Sequence, residues 1–360
     1  MVFKFKNVEV LLVFVIIQEF CNPFRGVAVE ADKVTNRPLR SITKDHALRY
    51  LTEDMSIMDN FKSHILKPFM IKRVSGTEGN LQVQQHIKFL LSEWGWHIEE
   101  ERFKDKTPYG EKEFTNIIAT YDPNKPVKVV LACHFDSKFF AKKEFVGATD
   151  SAVPCAIIME SVRQLQCLLD KGPKSKSSVN DITLQLIFFD GEEAFKHWTS
   201  TDSIYGARHL ANSWLKEKDP LVPSRNRLQS IRELILLDLI GTPDTRFVKQ
   251  FAHTSELYDN LVKVEELLRG KGFLIEKSNT VIFQKPYGFG GIEDDHIPFL
   301  RNGVDILHLI STPFPSVWHK SSDDWDHLDF NLIDNFSRIF RVFLSNLLHL
   351  RPEDSSCRKK

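Results

Sequence analysis

The chain has 360 residues, 28 of them Phe, which is enough for one large α/β domain with a sizeable apolar core. Lys and Arg total 48, and so do Asp and Glu. This balance gives no electrostatic reason to expect nucleic acid or an anionic membrane as a partner. We find no internal repeat and no long low-complexity segment.

The N-terminus has the pattern of a secretory signal peptide. Two lysines precede an apolar run, residues 10–17, and the small residues Ala28 and Ala31 follow it. The run is too short to cross a bilayer about 30 Å thick. We therefore expect a signal peptide at residues 1–30, a secreted protein, and no membrane attachment of the mature chain. Retention in the Golgi by an N-terminal anchor is the alternative.

Helical and strand patterns alternate along the rest of the chain. Helices are predicted at 41–66, 80–94, 153–169, 205–215, 254–269 and 331–350, and strands at 96–103, 114–121, 127–135, 183–189, 231–240, 247–253 and 305–310. This alternation predicts one α/β domain with an open, twisted, mostly parallel but mixed sheet and helices on both faces. We place the domain at 31–350 and a frayed tail at 351–360.

Three buried strands end in polar residues that can bind metal. His134 ends the first strand, Glu192 and Glu193 follow the second, and Asp238 ends the third. Asp150 precedes the helix after the first strand, and His319 lies in the last long loop. In open α/β sheets ligands bind beyond the carboxyl ends of the strands, so these side chains are expected to converge.

Imidazole and carboxylate ligands are those that zinc takes, and a catalytic zinc site keeps one position open. No G-x-S-x-G elbow or well-placed Cys nucleophile occurs, and Gly288–Gly291 lacks the context of a phosphate loop. Each residue also has a structural interpretation: the Glu pair as a solvated first helical turn, His134 as a strand-end histidine bonded to a carbonyl, Asp150 as an N-cap, Asp238 as a turn residue and His319 as a surface residue. All of these would have to hold at once for the site to be absent.

Six segments carry a family resemblance: CHFDSK at 133–138, VGATDSAVPC at 146–155, FDGEEAF at 189–195, LDLIG at 237–241, DDHIPF at 294–299 and PFPSVWH at 313–319. They resemble the animal glutaminyl-peptide cyclotransferases, which share their fold with the zinc aminopeptidases of the M28 type. The resemblance covers roughly residues 45–350.

The resemblance implies a role for individual residues. It implies a single zinc held by Asp150, Glu193 and His319, with Glu192 as general acid and base. The further residues it implies are an acid network of Asp238 and Asp294 supported by Ser151 and His308, a substrate pocket lined by Trp198, Phe314 and Trp318, and a disulfide between Cys133 and Cys155. His134 and Asp238 match positions that hold a second zinc in the aminopeptidases.

Two positions need separate comment. Glu293 stands where the family pattern leads us to expect Gln, and a substrate contact made there by the backbone carbonyl would tolerate the change. Asn335 begins the one N-glycosylation sequon, Asn-Phe-Ser, although it falls in a predicted helix.

The implied activity is the cyclisation of N-terminal glutamine, and more slowly glutamate, to pyroglutamate with release of ammonia from glutamine. The implied partners are peptides and proteins with N-terminal Gln or Glu, and the enzyme is expected to be a monomer. A two-zinc aminopeptidase of the M28 type is the first alternative. A non-catalytic ectodomain with this fold is the second, but the intact set of Asp150, Glu192, Glu193 and His319 argues against it.

Overall fold

The computed structural model describes residues 39–172, 181–278, 280–288, 291–353 and 355–357. These residues belong to one compact unit. The predicted signal peptide at 1–30 and the start of the predicted domain at residue 31 lie outside the described residues, so both stay predictions.

A six-stranded mixed sheet forms the centre of the fold. Its strands are β1 (His97–Thr107), β2 (Gly110–Thr120), β3 (Val127–His134), β4 (Ile182–Phe189), β5 (Ile231–Asp238) and β8 (Ile306–Ile310), in the spatial order β1-β2-β4-β3-β5-β8. The strands β4, β3, β5 and β8 are parallel, whereas β1 and β2 form an antiparallel hairpin that pairs with β4. The predicted fold class is confirmed.

The four parallel strands end at the same edge of the sheet, and this places the site. His134 pairs with Phe189 on β4, and Asp238 pairs with Ile310 on β8. Nearly every residue of β3, β4, β5 and β8 is buried, as expected for strands covered on both faces. Polar groups that follow the last strand residues therefore converge at one edge.

Helices cover both faces of the sheet. In chain order they are α1 (Asp45–Arg49), α2 (Met58–Asn60), α3 (Glu78–Glu93), α4 (Val153–Lys171), α5 (Tyr205–Lys216), α6 (Ser255–Gly270), α7 (Ile297–Arg301) and α8 (Phe330–Leu347). The π-helical turns Tyr50–Asp54 and Phe61–Leu66 continue α1 and α2. The larger core cluster lies between one face and α4, α6 and α8, and the smaller one between the other face and α5 and α7.

The helical stretch Ala148–Lys171, which contains α4, is long and apolar enough to cross a membrane, and within the described residues it is the one such stretch. In this fold 72% of its apolar window is buried. Its apolar surface is therefore used in packing against the sheet and its neighbouring helices.

One strand was missed by the sequence patterns. β7 (Phe283–Tyr287) pairs in parallel with β6 (Phe247–Lys249) in a separate two-stranded sheet. Its sequence, FQKPY, has Lys and Pro at consecutive positions and three of its five residues are exposed. It lacks the alternation of apolar and polar residues that identifies a strand.

The prediction of a frayed tail from Arg351 is wrong for the residues that the structure describes there. Cys357 forms a disulfide with Cys167 at the end of α4, and the Tyr50 hydroxyl donates a hydrogen bond to the Cys357 carbonyl at 2.8 Å. Arg40 forms an ion pair with Glu353. These contacts attach the tail to the domain.

The Cys167–Cys357 disulfide joins residues 190 positions apart in sequence. We expect Cys167→Ala to lower the free energy of unfolding by about 3–5 kcal/mol, because the cross-link restricts a long loop of the unfolded chain. Denaturant unfolding of the oxidised protein measures this change. Cys357→Ala should lose the same amount, and the double variant no more than either single one. An unchanged unfolding midpoint would contradict the prediction.

The second disulfide is the one that the resemblance implies. Cys133 on β3 is bonded to Cys155 in the first turn of α4, and both residues are fully buried. The bond fixes the start of the helix to the strand that ends in His134.

Asn335 is not available for glycosylation in the folded chain. Its side chain is buried within α8, where its Oδ1 accepts a hydrogen bond from the Ile275 amide at 2.7 Å and its Nδ2 donates one to the Ile275 carbonyl at 3.1 Å. A glycan on this nitrogen would have no space, so the candidate site is wrong for the folded protein.

Candidate active site

Three side chains converge as a group that can hold a divalent cation. His319 Nε2 lies 3.3 Å from Asp150 Oδ2 and 3.3 Å from Glu193 Oε1. The three ligand atoms lie within 4.8 Å of one another. Asp150 Oδ2 and Glu193 Oε1 are buried and have no hydrogen-bond partner, which is costly for a carboxylate unless a cation binds there.

Asp150 does not cap a helix. It lies in a kinked segment, Ala148–Ala152, with φ −122° and ψ 74°, and the N-cap of α4 is Ala152. Gly147 precedes this segment with φ 53°, and a Cβ atom there would lie 2.1 Å from the carbonyl oxygen of Asp150. Glycine at position 147 is therefore required for the turn that presents Asp150.

The buried guanidinium of Arg73 donates hydrogen bonds to the backbone of this turn. Arg73 Nε donates to the Phe135 carbonyl at 2.6 Å, and Arg73 Nη2 donates to the Gly147 carbonyl at 2.9 Å. Burial lowers the pKa of Arg73 to about 10, so the group stays charged at neutral pH. Its positive charge interacts with the carboxylates of Asp136 and Asp150. Its hydrogen bonds connect the end of β3 to the turn that contains Asp150.

Asp323 also contacts the backbone of this turn. Its Oδ1 accepts a hydrogen bond from the Thr149 amide at 2.8 Å, and its carbonyl accepts one from the Ala148 amide at 3.1 Å. Burial raises the pKa of Asp323 to about 7. The sequence patterns assigned no role to Arg73 or Asp323, because their partners are distant in sequence.

Glu192 and Glu193 are not a solvated helical turn. Their side chains are 6% and 4% exposed, and neither residue is helical. The carboxylate of Asp136 accepts hydrogen bonds from both of their amides, at 3.1 Å and 3.3 Å. Lys138 Nζ lies 3.0 Å from Glu193 Oε2, so one oxygen of Glu193 is neutralised while the other faces Asp150 and His319. Asp136 and Lys138 lie in the CHFDSK segment but were given no role from sequence.

The turn before this pair is built by Asp190. Its buried carboxylate accepts hydrogen bonds from Ser75 Oγ at 2.7 Å, Asn80 Nδ2 at 3.0 Å and the Thr115 amide at 2.8 Å. Burial raises the pKa of Asp190 to about 7. These contacts tie the end of β4 to β2 and to α3, so Asp190 serves the fold of the turn.

A second group of potential ligands adjoins the first. His134 Nε2 lies 3.1 Å from Asp150 Oδ1 and 3.5 Å from Asp238 Oδ1, and His134 Nδ1 lies 3.4 Å from Asp136 Oδ1. Ser151 Oγ donates to Asp238 Oδ1 at 2.6 Å. His134 thus contacts three carboxylates, which replaces the interpretation of a histidine bonded to a carbonyl. Asp238 is part of the site and not a plain turn residue.

A cluster of buried acids surrounds Glu192. Asp294 Oδ2 lies 2.7 Å from His308 Nε2, and Asp294 Oδ1 accepts a hydrogen bond from the Asp295 amide at 2.6 Å. Asp295 is fully buried, and neither of its carboxylate oxygens has a hydrogen-bond partner. Burial raises the pKa of the Asp294 carboxyl. Burial lowers the pKa of His308 to about 4, so its imidazole is neutral at pH 7.

Burial also raises the pKa of the Glu192 carboxyl well above its usual value. The negative charges of Glu193, Asp294 and Asp295 raise it further, while the charge of His134 acts in the opposite direction. Asp238, the other acid of the network that the resemblance implies, is not among these main contributors. A carboxyl with a raised pKa can accept and return a proton near neutral pH.

Aromatic side chains lie beside the ligand group. Trp318 stacks on His319 with ring centroids 3.9 Å apart, and Phe314 meets Trp318 edge to face at 4.9 Å. Trp318 and Trp198 are 38% and 39% exposed, which is high for Trp. Trp198 Nε1 donates a hydrogen bond to Glu293 Oε2 at 2.9 Å. The side chain of His319 is 23% exposed, so it is a partly buried member of the site and not a surface residue.

The loop between Glu193 and Trp198 is organised by Asp202, which the sequence patterns missed. Asp202 Oδ1 accepts hydrogen bonds from the Phe195 amide at 2.9 Å and from the Tyr205 hydroxyl at 2.7 Å. Asp202 Oδ2 accepts two more, from the amides of Lys196 and His197, at 3.0 Å each. One carboxylate therefore fixes three consecutive amides next to Trp198.

Asp202→Asn should raise KM about tenfold with a smaller change in kcat, because an amide has one acceptor oxygen and loses charge-assisted hydrogen bonds worth about 1.5–3 kcal/mol each. Steady-state kinetics separates the two constants. Asp219→Asn is the matched control. Asp219 accepts hydrogen bonds from the Leu221 and Val222 amides at 2.8 Å and 2.9 Å, in the loop after α5. Arg225 of the same loop donates a hydrogen bond to the Pro126 carbonyl, just before β3 and therefore at the opposite end of that strand from His134. Equal kinetic changes in both variants would contradict a positioning role for Asp202.

Comparison with known proteins agrees with this geometry. Residues 116–344 match the model of peptidase family M28. The Bos taurus protein named glutaminyl-peptide cyclotransferase is 40% identical over 351 residues, which cover 96% of this chain and 97% of the relative. The crystal structure of Macrostomum lignano glutaminyl cyclase has a TM-score of 0.80 at 34% identity and covers 89% of this chain and 98% of its own.

A more distant structure shows the likeness of fold alone. The Zn-dependent exopeptidase of Parabacteroides distasonis has a TM-score of 0.62 at 21% identity, covering 79% of this chain and 96% of its own. The family match spans the four parallel strands and the three residues of the ligand group. The similarity to the bovine protein covers nearly the whole chain. This chain belongs to peptidase family M28 and, within it, to the glutaminyl-peptide cyclotransferases.

Proposed function

We propose that this protein converts the N-terminal glutamine of peptides and proteins to pyroglutamate by intramolecular cyclisation with release of ammonia. One observation carries the proposal. The buried carboxyl of Glu192 is adjacent in sequence to Glu193 of the cation-binding group but is not itself a member of that group. Family membership supports the same reaction. N-terminal glutamate would react more slowly, because its ionised γ-carboxylate is a poorer electrophile than an amide.

The metal that fits the site is zinc, one per chain. Asp150, Glu193 and His319 would hold it, because two carboxylate oxygens and one imidazole nitrogen are a zinc donor set that leaves a position open. The buried oxygens of Asp150 and Glu193 that lack hydrogen-bond partners support the fit. When bound, zinc supplies a Lewis acid that polarises the γ-carbonyl of the substrate.

Glu192 moves the proton in the proposed reaction. The neutral α-amine of the substrate attacks the γ-carbon. The carboxylate of Glu192 takes the proton that the amine nitrogen loses as the new C–N bond forms. The same proton then passes to the γ-amide nitrogen, the C–N bond to that nitrogen breaks, and ammonia leaves. The proton count balances within the substrate and Glu192, so no activated water is needed.

The neighbouring residues keep Glu192 able to do this. Asp238 and Asp294 would hold the acid network next to Glu192, with Ser151 donating to Asp238 and His308 next to Asp294. His134 would hold Asp150 and Asp238 in place through its contacts with both. Burial and the closely spaced acids raise the pKa of the Glu192 carboxyl, so it can hold the proton taken from the α-amine until that proton passes to the leaving nitrogen.

The aromatic side chains would bind the substrate. Trp198, Phe314 and Trp318 offer flat apolar walls on which the curled glutamine side chain can rest, with its α-amine close to the γ-carbon. The backbone of Glu293 would contribute a carbonyl acceptor beside Asp294. Binding in this shape would lower the entropy cost of ring closure.

The proposed setting of the reaction is the secretory pathway. A signal peptide at 1–30 and two disulfides fit an oxidising compartment, with secretion as the outcome and Golgi retention as the alternative. The proposed substrates are peptides and proteins that carry N-terminal Gln or Glu, and the proposed enzyme acts as a monomer.

A second candidate function is that of a two-zinc aminopeptidase. The observation that favours it is the second ligand group, His134, Asp150 and Asp238, which shares Asp150 with the first. This enzyme would release a free N-terminal amino acid with the help of activated water. It would also bind two zinc ions per chain.

An assay of two products separates the candidates. The purified protein is incubated with a peptide that begins with Gln and with one that begins with Leu, and ammonia and free amino acids are both measured. Cyclisation predicts ammonia from the Gln peptide and no free amino acid from either peptide. Free Leu or free Gln would contradict the proposed function.

A further inference from the structure

A carboxylate without a cationic partner lies at the edge of the proposed substrate pocket. Glu293 is exposed, and its Oε2 accepts the hydrogen bond from Trp198 Nε1 at 2.9 Å. No Lys, Arg or His of the described residues forms an ion pair with it. Indole N–H is neutral, so this contact fixes the direction of the carboxylate and leaves its charge uncompensated.

Two lysines near the site have partners other than Glu293. Lys138 Nζ lies 3.0 Å from Glu193 Oε2 and donates to the Ala194 carbonyl at 3.2 Å. Lys320 Nζ donates to the Ser316 carbonyl at 2.6 Å. Neither ammonium pairs with Glu293, so its carboxylate lies next to Trp198 without an ion pair to either lysine.

The length of the chain places this charge near the second residue of a substrate. Glu293 is the sequence neighbour of Asp294, so their Cα atoms are about 3.8 Å apart. A peptide whose first residue reacts at Glu192 must extend its second residue away by about 3.6 Å or less. Asp294 is among the acids whose charge acts on Glu192, and the exposed carboxylate of Glu293 contacts Trp198 of the proposed pocket. The second residue of a bound peptide would therefore come within reach of this carboxylate.

We propose that Glu293 is a specificity-determining residue that favours substrates with Lys or Arg directly after the N-terminal glutamine and disfavours Asp or Glu there. This inference rests on the proposed function and concerns the substrate class of the same site. Two unit charges separated by about 7 Å in water interact by about 0.6 kcal/mol, which corresponds to about threefold in a rate or binding constant. The ratio of kcat/KM between a Lys peptide and a Glu peptide should therefore be about tenfold.

Three amidated tripeptides test the proposal: Gln-Lys-Ala, Gln-Ala-Ala and Gln-Glu-Ala. Ammonia release gives kcat/KM for each with the wild-type protein and with Glu293→Gln, whose amide oxygen still accepts from Trp198. We expect the wild-type order Lys, Ala, Glu, with a Lys-to-Glu ratio of about ten that falls to about one in the variant. The ratio cancels any loss that the variant causes for all peptides alike.

Glu93→Gln is the matched control. Glu93 is an exposed residue at the last position of α3, about 20 Å along the helix from Asn80, which contacts Asp190. Its Lys-to-Glu ratio should equal that of the wild type. The wild-type ratio should also shrink between low salt and 0.5 M salt, because the Debye length falls to a few ångströms, about 4 Å.

Each outcome has a defined meaning. A wild-type ratio near one, or a ratio that Glu293→Gln leaves unchanged, overturns the role of Glu293 while turnover of Gln-Ala-Ala still supports the proposed function. Absence of ammonia from all three peptides overturns both. A ratio that falls equally in Glu93→Gln contradicts a local effect and overturns the proposal.

Discussion

Glu192→Gln is expected to lower kcat by about 10³-fold, within the range that a positioned general acid and base contributes. The amide is nearly isosteric but cannot carry the proton from the α-amine to the leaving nitrogen. Because Glu192 is not one of the three proposed ligands, zinc content should stay at the wild-type value. Because the aromatic walls are unchanged, KM should change little. Single-turnover kinetics and metal analysis of the same sample measure these effects.

Glu233→Gln controls for the loss of a buried glutamate. Glu233 lies near the start of β5, at the opposite end of the strand from Asp238, and pairs with Arg232. This variant should retain wild-type kcat. If Glu192→Gln keeps more than a tenth of wild-type kcat, or if it loses zinc, Glu192 is not the proton carrier.

His319→Ala is expected to lose bound zinc and nearly all activity. His319 supplies the single nitrogen of the proposed ligand set, and its partly exposed side chain makes its removal tolerable for the fold. Loss of an outer-shell partner alone costs about 10–100-fold in affinity, so loss of a direct ligand should cost at least about 100-fold. Zinc per chain after dialysis against a metal buffer measures the change, and circular dichroism verifies the fold.

Lys138→Met provides the graded comparison. Lys138 contacts the oxygen of Glu193 that does not face the ligand group, so its loss should weaken zinc binding by about 10–100-fold and leave added zinc able to restore activity. His319→Ala should stay inactive at the same zinc concentration. Wild-type zinc content in His319→Ala would show that the metal is held elsewhere, with the His134 group as the next site to test.

The main strands and the convergence of the site follow from sequence patterns. Continuous apolar runs identify β3, β4 and β5, and the residues that end them identify the edge at which the site is built. These signals are local, because a buried parallel strand needs apolar residues on both faces. The fact that Glu192 and Glu193 are adjacent in sequence does not indicate which of them binds metal and which transfers the proton. In the structure Glu193 faces Asp150 and His319, whereas Glu192 lies among the buried acids.

The supporting residues were not predictable for a physical reason. Arg73, Asp202 and Asp323 act by accepting from, or donating to, backbone groups that become neighbours when the chain folds. No spacing rule marks such residues in one sequence. The Cys167–Cys357 pair was hidden in the same way, since the number of cysteines leaves several pairings open and the tail has no apolar pattern.

The central claim is that the site closes the N-terminal residue on itself and does not remove it. Mass spectrometry of a Gln-initiated peptide, incubated with the protein with and without a zinc chelator, tests this most directly. We expect a product lighter than the peptide by the mass of ammonia alone, lost on chelation and restored by added zinc. A product lighter by a whole glutamine residue, or a cyclised product that forms equally fast in chelator, would contradict the account.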